Sequence, residues 1–255
     1  LFNNIFDTHA HYTEKAFDSD RVELLSSLQS KGVRYVLLAA SCIETSRQNI
    51  DISNEYSYIY SSIGVHPNCV NETTDNYLEM LEKLADNDKV VAIGEIGVDY
   101  YYDGYDSDLQ LRFFEEQLLL AKKLNLPVIV HSRNATKDCM DLLKKHKPRG
   151  VMHCFSGSAE TAKEVMALGM SISFTGVITF KNARKAINSL EVIPLDRLML
   201  ETDCPYMAPE PFRGKRSDSS MIVNIAEKVA EIKNISTQEV LDITCENGKN
   251  LFNIT

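Results

Sequence analysis

Six side chains of the kinds that bind divalent cations fall at the ends of short apolar runs. Asp7-Thr8-His9-Ala10-His11 closes the first run. Alternate residues of a strand share a face, so His9 and His11 can grip one ion together. Glu95 closes Ile93-Gly94-Glu95, His131 closes Ile129-Val130-His131, and His153 closes Val151-Met152-His153. Asp203 follows in Leu200-Glu201-Thr202-Asp203. A lone His-x-His is a weak signal, because most isolated histidines are satisfied core or surface groups. His146, between Lys145 and Lys147, reads as one of these, a solvated residue at a helix end. But the chain has only six histidines, and His9, His11, His131 and His153 all stand at strand ends with nothing else to explain them.

Four imidazoles and two carboxylates are too many for one tetrahedral ion with an open position. They suit two divalent ions about 3.5–4 Å apart. His9, His11 and Asp203 would take one ion, and His131 and His153 the other. Glu95 is best placed to bridge, because its strand lies between the others. Imidazole-rich ligation permits Zn²⁺, and the carboxylates also permit Mn²⁺ or Mg²⁺. Such a centre activates water for hydrolysis, with Asp203 holding the water and accepting its proton.

Other groups surround this set. His66, in Gly64-Val65-His66-Pro67, could bind a substrate phosphate or protonate a leaving oxygen, or be a structural histidine on the rim. Asp7 and Glu201 share strand faces with the ligands, and either orient imidazoles or fill the barrel with polar atoms. An anionic substrate would need cations. The candidates are Arg133, Lys181, Arg184, Arg213, Lys215 and Arg216, all on expected strand-to-helix loops; a solvated role is as good an account of any one of them. Lys144, Lys145, Lys147 and Arg149 lie at the opposite end and read as solvated. Tyr100, Tyr101, Tyr102 and Tyr105 form either a packed loop or a platform for bases. Strand alternation points Cys154 and Cys204 away from the ions, so neither is a nucleophile.

The elements that must hold these residues alternate. Eight apolar runs are visible: Ile5–Thr8, Tyr35–Ala39, Ile59–Val65, Val90–Gly94, Pro127–Val130, Gly150–Met152, Ser171–Thr175 and Leu198–Glu201. Between them lie stretches of helical spacing. Leu109–Asn125 is the clearest, with Phe113, Phe114, Leu120, Ala121 and Leu124 on one stripe. Gln110 and Gln117 interrupt that stripe and are expected to bond barrel backbone. Residues 220–252 read as one or two closing helices. Strand–helix alternation means parallel strands with right-handed crossovers. Eight repeats in 255 residues favour an α/β chain that is one (β/α)8 TIM barrel over 1–255, since such barrels take about 250 residues. An open doubly wound sheet is the alternative, but a Gly-x-Gly-x-x-Gly phosphate loop is missing. In this architecture the rim at the C-terminal ends of the strands is where sites are built.

Composition narrows the setting. With 44% hydrophobic and 25% charged residues the chain is an ordinary globular one. The net charge of -9 argues against non-specific coating of nucleic acid, although a locally basic site remains compatible with it. The six cysteines lack a Cys-x-x-Cys pair and read as free thiols in a reducing compartment. No run approaches the roughly 18 apolar residues of a membrane span, and no signal peptide is visible. The expectation is a cytoplasmic enzyme without membrane contact or an obligatory protein partner.

The motifs, taken together, resemble the TatD family of metal-dependent deoxyribonucleases, within the amidohydrolase-like barrels. The matching stretches are Asp-Thr-His-Ala-His (7–11), Gly-Val-His-Pro (64–67), Gly-Glu-Ile-Gly-Val-Asp-Tyr (94–100) and Leu-Pro-Val-Ile-Val-His-Ser-Arg-Asn-Ala (126–135). Met-His-Cys-Phe-Ser-Gly (152–157), Thr-Gly-Val-Ile-Thr-Phe-Lys-Asn-Ala (175–183), Glu-Thr-Asp-Cys-Pro-Tyr (201–206) and Arg-Gly-Lys-Arg (213–216) continue in family order. The resemblance implies a barrel, divalent metals and DNA phosphodiester hydrolysis, with attack from a strand end as the expected mode. It also implies His9, His11, Glu95, His131, His153 and Asp203 as the ligands. Ser217-Asp218-Ser219 departs from the Asn-Glu-Pro that often follows the basic run, and Cys204 stands where Ala or Ser is common. These departures bear on substrate detail. A metal-dependent amide, lactone or small-ester hydrolase is the alternative, because fold does not fix substrate.

Overall fold

The computed structural model describes residues 2–255. Eight strands alternate with helices from Ile5 to Phe252. The strands are β1 (Ile5–Ala10), β2 (Val33–Leu38), β3 (Ile59–Ile63), β4 (Val90–Asp99), β5 (Val128–Arg133), β6 (Gly150–Met152), β7 (Ser171–Phe174) and β8 (Leu198–Leu200). They run parallel in the order β1 to β8. The sheet closes on itself just past β8: the Asp203 N–H donates to the His9 carbonyl at 2.9 Å, and the His11 N–H to the Cys204 carbonyl at 2.8 Å. The architecture is the (β/α)8 barrel that strand–helix alternation implies.

Helices α1 (Arg21–Leu28), α2 (Ile43–Glu55), α3 (Tyr77–Leu84), α4 (Ser107–Leu124), α5 (Thr136–His146), α6 (Ala159–Ala167) and α7 (Arg184–Val192) follow the first seven strands. The closing segment is two helices, α8 (Ile222–Lys233) and α9 (Thr237–Phe252). Helix ends follow local chemistry. Asp106 caps α4 by accepting from the Leu109 N–H at 2.9 Å, and Asn125 ends it in a left-handed turn. Ser236 and Glu239 form a reciprocal capping box at the start of α9. No helix among the described residues is long and apolar enough to cross a membrane.

Period-two alternation separates two apolar layers. Leu37, Ile129, Val151 and Met199 fill the barrel interior with Phe6, and Phe252 and Ile254 pack into the same cluster. Their neighbours Val36, Leu38, Val128, Val130, Leu198 and Leu200 face outward, into the layer beneath the helices. Each fully buried side chain of this size contributes roughly 1.5–3 kcal/mol. The same alternation carries upward. His131 lies two residues past Ile129, His153 two past Val151, and Glu201 two past Met199, so all three are directed over the interior.

One strand is longer than its apolar run. The hydrophobic pattern of β4 stops at Gly94, yet the strand continues to Asp99 and pairs Gly97 with His131 and Asp99 with Arg133. Gly97 has φ +148°, and a Cβ there would lie 1.9 Å from the His131 carbonyl oxygen. Glycine alone lets the two backbones approach so closely. Neighbouring β3 ends at Ile63, so the last turn of β4 has no strand on that side. Glutamines of α4 satisfy the backbone there, Gln110 at the end of β4 and Gln117 at Val65, just past β3. Gln110 accepts from the Asp99 N–H at 2.9 Å and donates to the Asp99 carbonyl at 3.0 Å. Gln117 does the same for Val65 at 2.8 and 3.0 Å. That is the reason for two amides on an otherwise apolar stripe.

Candidate active site

A cavity of about 700 Å³ opens at the C-terminal ends of the strands, and His11, His66, Glu95, His131, His153 and Asp203 line it. His9 lies fully buried beneath them. Glu95 is the centre of the arrangement. Its Oε2 faces His9 Nε2 at 3.3 Å and His11 Nε2 at 3.8 Å. Its Oε1 faces His131 Nδ1 and His153 Nε2, both at 2.8 Å, and His66 Nε2 at 3.4 Å. Asp203 Oδ1 closes the first group, 3.1 Å from His11 Nε2 and 3.6 Å from His9 Nε2. Asp203 reaches this position from a left-handed backbone, φ +55°.

The donor atoms fit divalent ions. Bonds of about 2.0–2.2 Å in a tetrahedral shell set neighbouring donors roughly 3.3–3.6 Å apart. His9 and His11 Nε2 are 3.1 Å apart, and the carboxylate distances of this group bracket that range. Tautomers agree. His11 Nδ1 lies 3.2 Å from the Ala39 carbonyl and must donate to it, which leaves the Nε2 lone pair facing two carboxylates. His131 Nε2 lies 3.2 Å from Asp99 Oδ2, so its Nδ1 lone pair faces Glu95 Oε1. Lone pairs aimed at carboxylate oxygens repel unless a cation or protons lie between them. Two groups offer lone pairs to an ion, His9 with Glu95 and His153, and His9 with His11 and Asp203; His66, Asp99 and His131 also lie together, but there the Nε2 atoms of both imidazoles carry protons.

Electrostatics favour the forms a metal needs at the carboxylates. Burial pushes the Glu95 carboxyl up, but the charges of His153, His66 and His9 outweigh it and hold the group well below the usual range. Asp203 is likewise raised by burial, but the His11 imidazole beside it lowers it by more, for a net fall. Burial holds His9 and His66 below the ordinary imidazole value. His153 is lifted well above it, because Glu95 and Glu201 overcome its burial. A bound cation would take the place of that proton.

Supporting groups divide by what they touch. Glu201 Oε1 stands 3.3 Å from His153 Nδ1 and accepts from the Cys154 N–H at 2.6 Å, while its Oε2 accepts from Ser173 Oγ at 2.6 Å. It orients an imidazole. Asp7 contacts no imidazole nitrogen. It accepts from the Thr202 N–H and Oγ1 and from Ser219 Oγ, and so fastens β1 to the segment after β8. Burial lifts its carboxyl to about 7 despite those bonds. Ser219, inside the stretch that departs from the family pattern, therefore serves a buried polar network. His66 Nδ1 accepts from the Asn68 N–H at 3.1 Å, so its Nε2 carries a proton and can donate into the cavity. Asp99 was not singled out from the sequence. Its signal was present in Gly97-Val98-Asp99-Tyr100, but the apolar run ends before it. His146 lies apart and pairs with Glu115 at 2.7 Å.

The cations are less concentrated than loop position implies. Arg133 lines the cavity, with its guanidinium 3.5 Å from the Tyr101 ring centroid. Lys181, Arg213 and Lys215 are exposed and do not line it; Arg213 lies over Phe180 and Lys215 over Phe212. Arg216 pairs with Asp20 at 2.6 Å. Lys185, one turn of chain beyond Lys181, does line the cavity. Cys204 points away into the core. Cys154 does not point away: φ +44° breaks strand alternation, and its sulfur lies at the cavity wall, 3.5 Å from Met207 Sδ. Of the tyrosines, Tyr102 and Tyr206 line the mouth and both are more than half exposed.

Comparison with known proteins gives the family. The family described as TatD related DNase matches residues 6–253. An uncharacterized metal-dependent hydrolase of Bacillus subtilis (strain 168), YabD, is 41% identical, over 98% of this chain and 99% of its own. A protein of Rahnella sp. (strain Y9602) named 3'-5' ssDNA/RNA exonuclease TatD is 32% identical, over 97% and 98%. The crystal structure of YjjV, a TatD homologue from Escherichia coli K12, superposes with a TM-score of 0.94 at 30% identity and covers all of both chains. With family-specific motifs along nearly its whole length and a carboxylate–imidazole cluster on the rim of its barrel, the chain belongs to the TatD-related DNase family of metal-dependent hydrolases.

Proposed function

We propose that this chain hydrolyses phosphodiester bonds of DNA, working from a strand end, at a centre of two divalent ions. The observation that carries the reading is the division of Glu95: one carboxylate oxygen serves His9 and His11, the other His131 and His153. A carboxylate so placed suits two adjacent cations. His9, His11 and Asp203 would hold one, His131 and His153 the other. When bound, the ions would offset charge on the phosphoryl oxygens and make water acidic enough to serve as nucleophile near neutral pH. Zn²⁺, Mn²⁺ and Mg²⁺ all suit the mixed donors. The Rahnella relative's name and the family's description support nucleic acid as substrate.

The residues of the chain divide the remaining work. The Asp203 carboxylate orients the attacking water and accepts its proton. His66 donates from Nε2 to the leaving oxygen or holds a phosphoryl oxygen. Asp99 keeps the Nε2 proton of His131, and Glu201 steadies His153. Arg133 neutralises phosphate charge from the wall. The six unpaired thiols are the observation in favour of a reducing, cytoplasmic setting.

The test is turnover by the purified chain of short single-stranded DNA and of a panel of small esters, amides and lactones. It is run after chelation and after resupply of each ion. DNA cleavage that needs a divalent ion is the expected result. Ester or lactone turnover with inert DNA would overturn the assignment in favour of carbonyl chemistry.

A further inference from the structure

A polyanion needs a cation for more than one phosphate, and few are placed to serve. Arg133 and Lys185 are the basic residues lining the main cavity. Lys185 also lines a smaller cavity of about 120 Å³. The two adjoin: they share Ser132, His153, Cys154, Phe155, Ser156 and Lys185. His153, which faces Glu95 at 2.8 Å, lines both.

The chemistry of the small cavity is one-sided. Ser132, Thr136, Ser156 and Thr161 bring hydroxyls, Asn134 an amide and Lys185 an ammonium, and no carboxylate lines it. Glu14, Glu95, Asp99 and Asp203 all line the larger cavity. The Lys185 ammonium forms no ion pair among the described residues, whereas Arg216 is held by Asp20. A cation would find no anionic ligand in this pocket, and an apolar group would leave its donors unpaired. An oxyanion is satisfied by them. The volume is ample for one phosphate.

We propose that this side pocket is a phosphate subsite. It takes the phosphate next along the strand from the one at Glu95, with Lys185 as its counter-ion. The inference rests on the phosphodiester reading and narrows the substrate class to strands with at least two consecutive phosphates. A substrate with one phosphate leaves the subsite empty.

The experiment compares the thymidine dinucleoside monophosphate, which has one phosphate, with the trinucleoside diphosphate, which has two. Each is incubated with the full chain and saturating Mn²⁺. Wild type should favour the two-phosphate substrate through a lower KM. Lys185→Ala should erode that preference about tenfold, and Lys185→Arg, which keeps the charge, should restore most of it. The salt dependence of KM for the longer substrate should become shallower by about one unit of slope in Lys185→Ala. Lys185 is exposed, so the variants are expected to melt with wild type. If Lys185→Ala changes both substrates by the same factor, or neither, the subsite is overturned while the phosphodiester reading stands. If wild type cleaves neither substrate, both fall.

Discussion

Gln110→Leu isolates the amide that stands in for a missing strand. Gln110 and Asp99 are each 2% exposed, so water does not replace the lost partners freely. The variant keeps side-chain bulk and opens no large cavity. It leaves the Asp99 N–H and carbonyl, now bonded at 2.9 and 3.0 Å, without partners. A buried backbone group left unsatisfied costs about 1–3 kcal/mol, so the pair costs about 2–6 kcal/mol. For a chain of this size that corresponds to a fall in Tm of roughly 4–24 °C. A second effect is local. Asp99 accepts from His131 at 3.2 Å, and losing such a partner typically weakens ion binding about 10–100-fold. Gln117→Leu bares Val65 in the same way but leaves Asp99 anchored. It should lose similar stability and much less Mn²⁺ affinity. The assays are thermal unfolding by circular dichroism without metal, and calorimetric titration with Mn²⁺. A Gln110→Leu protein that melts within about 1 °C of wild type would refute the claim that these amides replace strand pairing. Equal Mn²⁺ affinity in the two variants would refute the link through Asp99 to His131.

Removal of divalent ions should abolish DNA hydrolysis, with Mg²⁺, Mn²⁺ or Zn²⁺ restoring it; full turnover in a verified metal-free preparation would end the metal mechanism. Asp203→Asn keeps size and one ligand oxygen but removes the base, so kcat should fall about 10²–10⁴-fold with KM little changed. Wild-type turnover in that variant would exclude Asp203 from proton transfer. Arg133→Ala should raise KM for single-stranded DNA and flatten its salt dependence, whereas Lys215→Ala, off the cavity and against Phe212, should do less. The reverse order in a salt titration of KM would contradict the placement of these cations. Gly97→Ala should part β4 from β5 beside His131, since its Cβ would meet a carbonyl oxygen at 1.9 Å. Loss of Mn²⁺ binding or of the folded state is expected, and a stable variant with normal affinity would show that the strands can separate without harm.

The ligand-type residues were legible because they follow apolar runs at strand ends, but alternation fixes the face only of His131 and His153: β1 shifts register between Asp7 and Ala10, β4 between Ile93 and Ile96, and Asp203 turns in from a left-handed backbone. His131 and His153 continue the inward rows of Ile129 and Val151, and period two is a local property of the chain. The barrel was legible from eight such runs for the same reason. Gln110 and Gln117 could be read as backbone partners, because amides on a buried stripe need partners. Other features depend on residues far apart in sequence. The extension of β4 to Asp99 depends on Gly97 meeting His131 across a strand pair. The partner of Asp7 proved to be Thr202 and Ser219, which only barrel closure brings near. Cys154 turned into the cavity because its backbone left the strand region, which alternation does not anticipate. Loop position placed Arg133, Lys181, Arg184, Arg213, Lys215 and Arg216 around the site, yet of these six Arg133 alone lines the cavity, and Lys185, which the sequence did not single out, joins it there. Strand periodicity is written in neighbouring residues, so the sequence alone determined the frame and the ligand-type set. The direction of a loop side chain is decided by long-range packing, and that only the tertiary structure could supply.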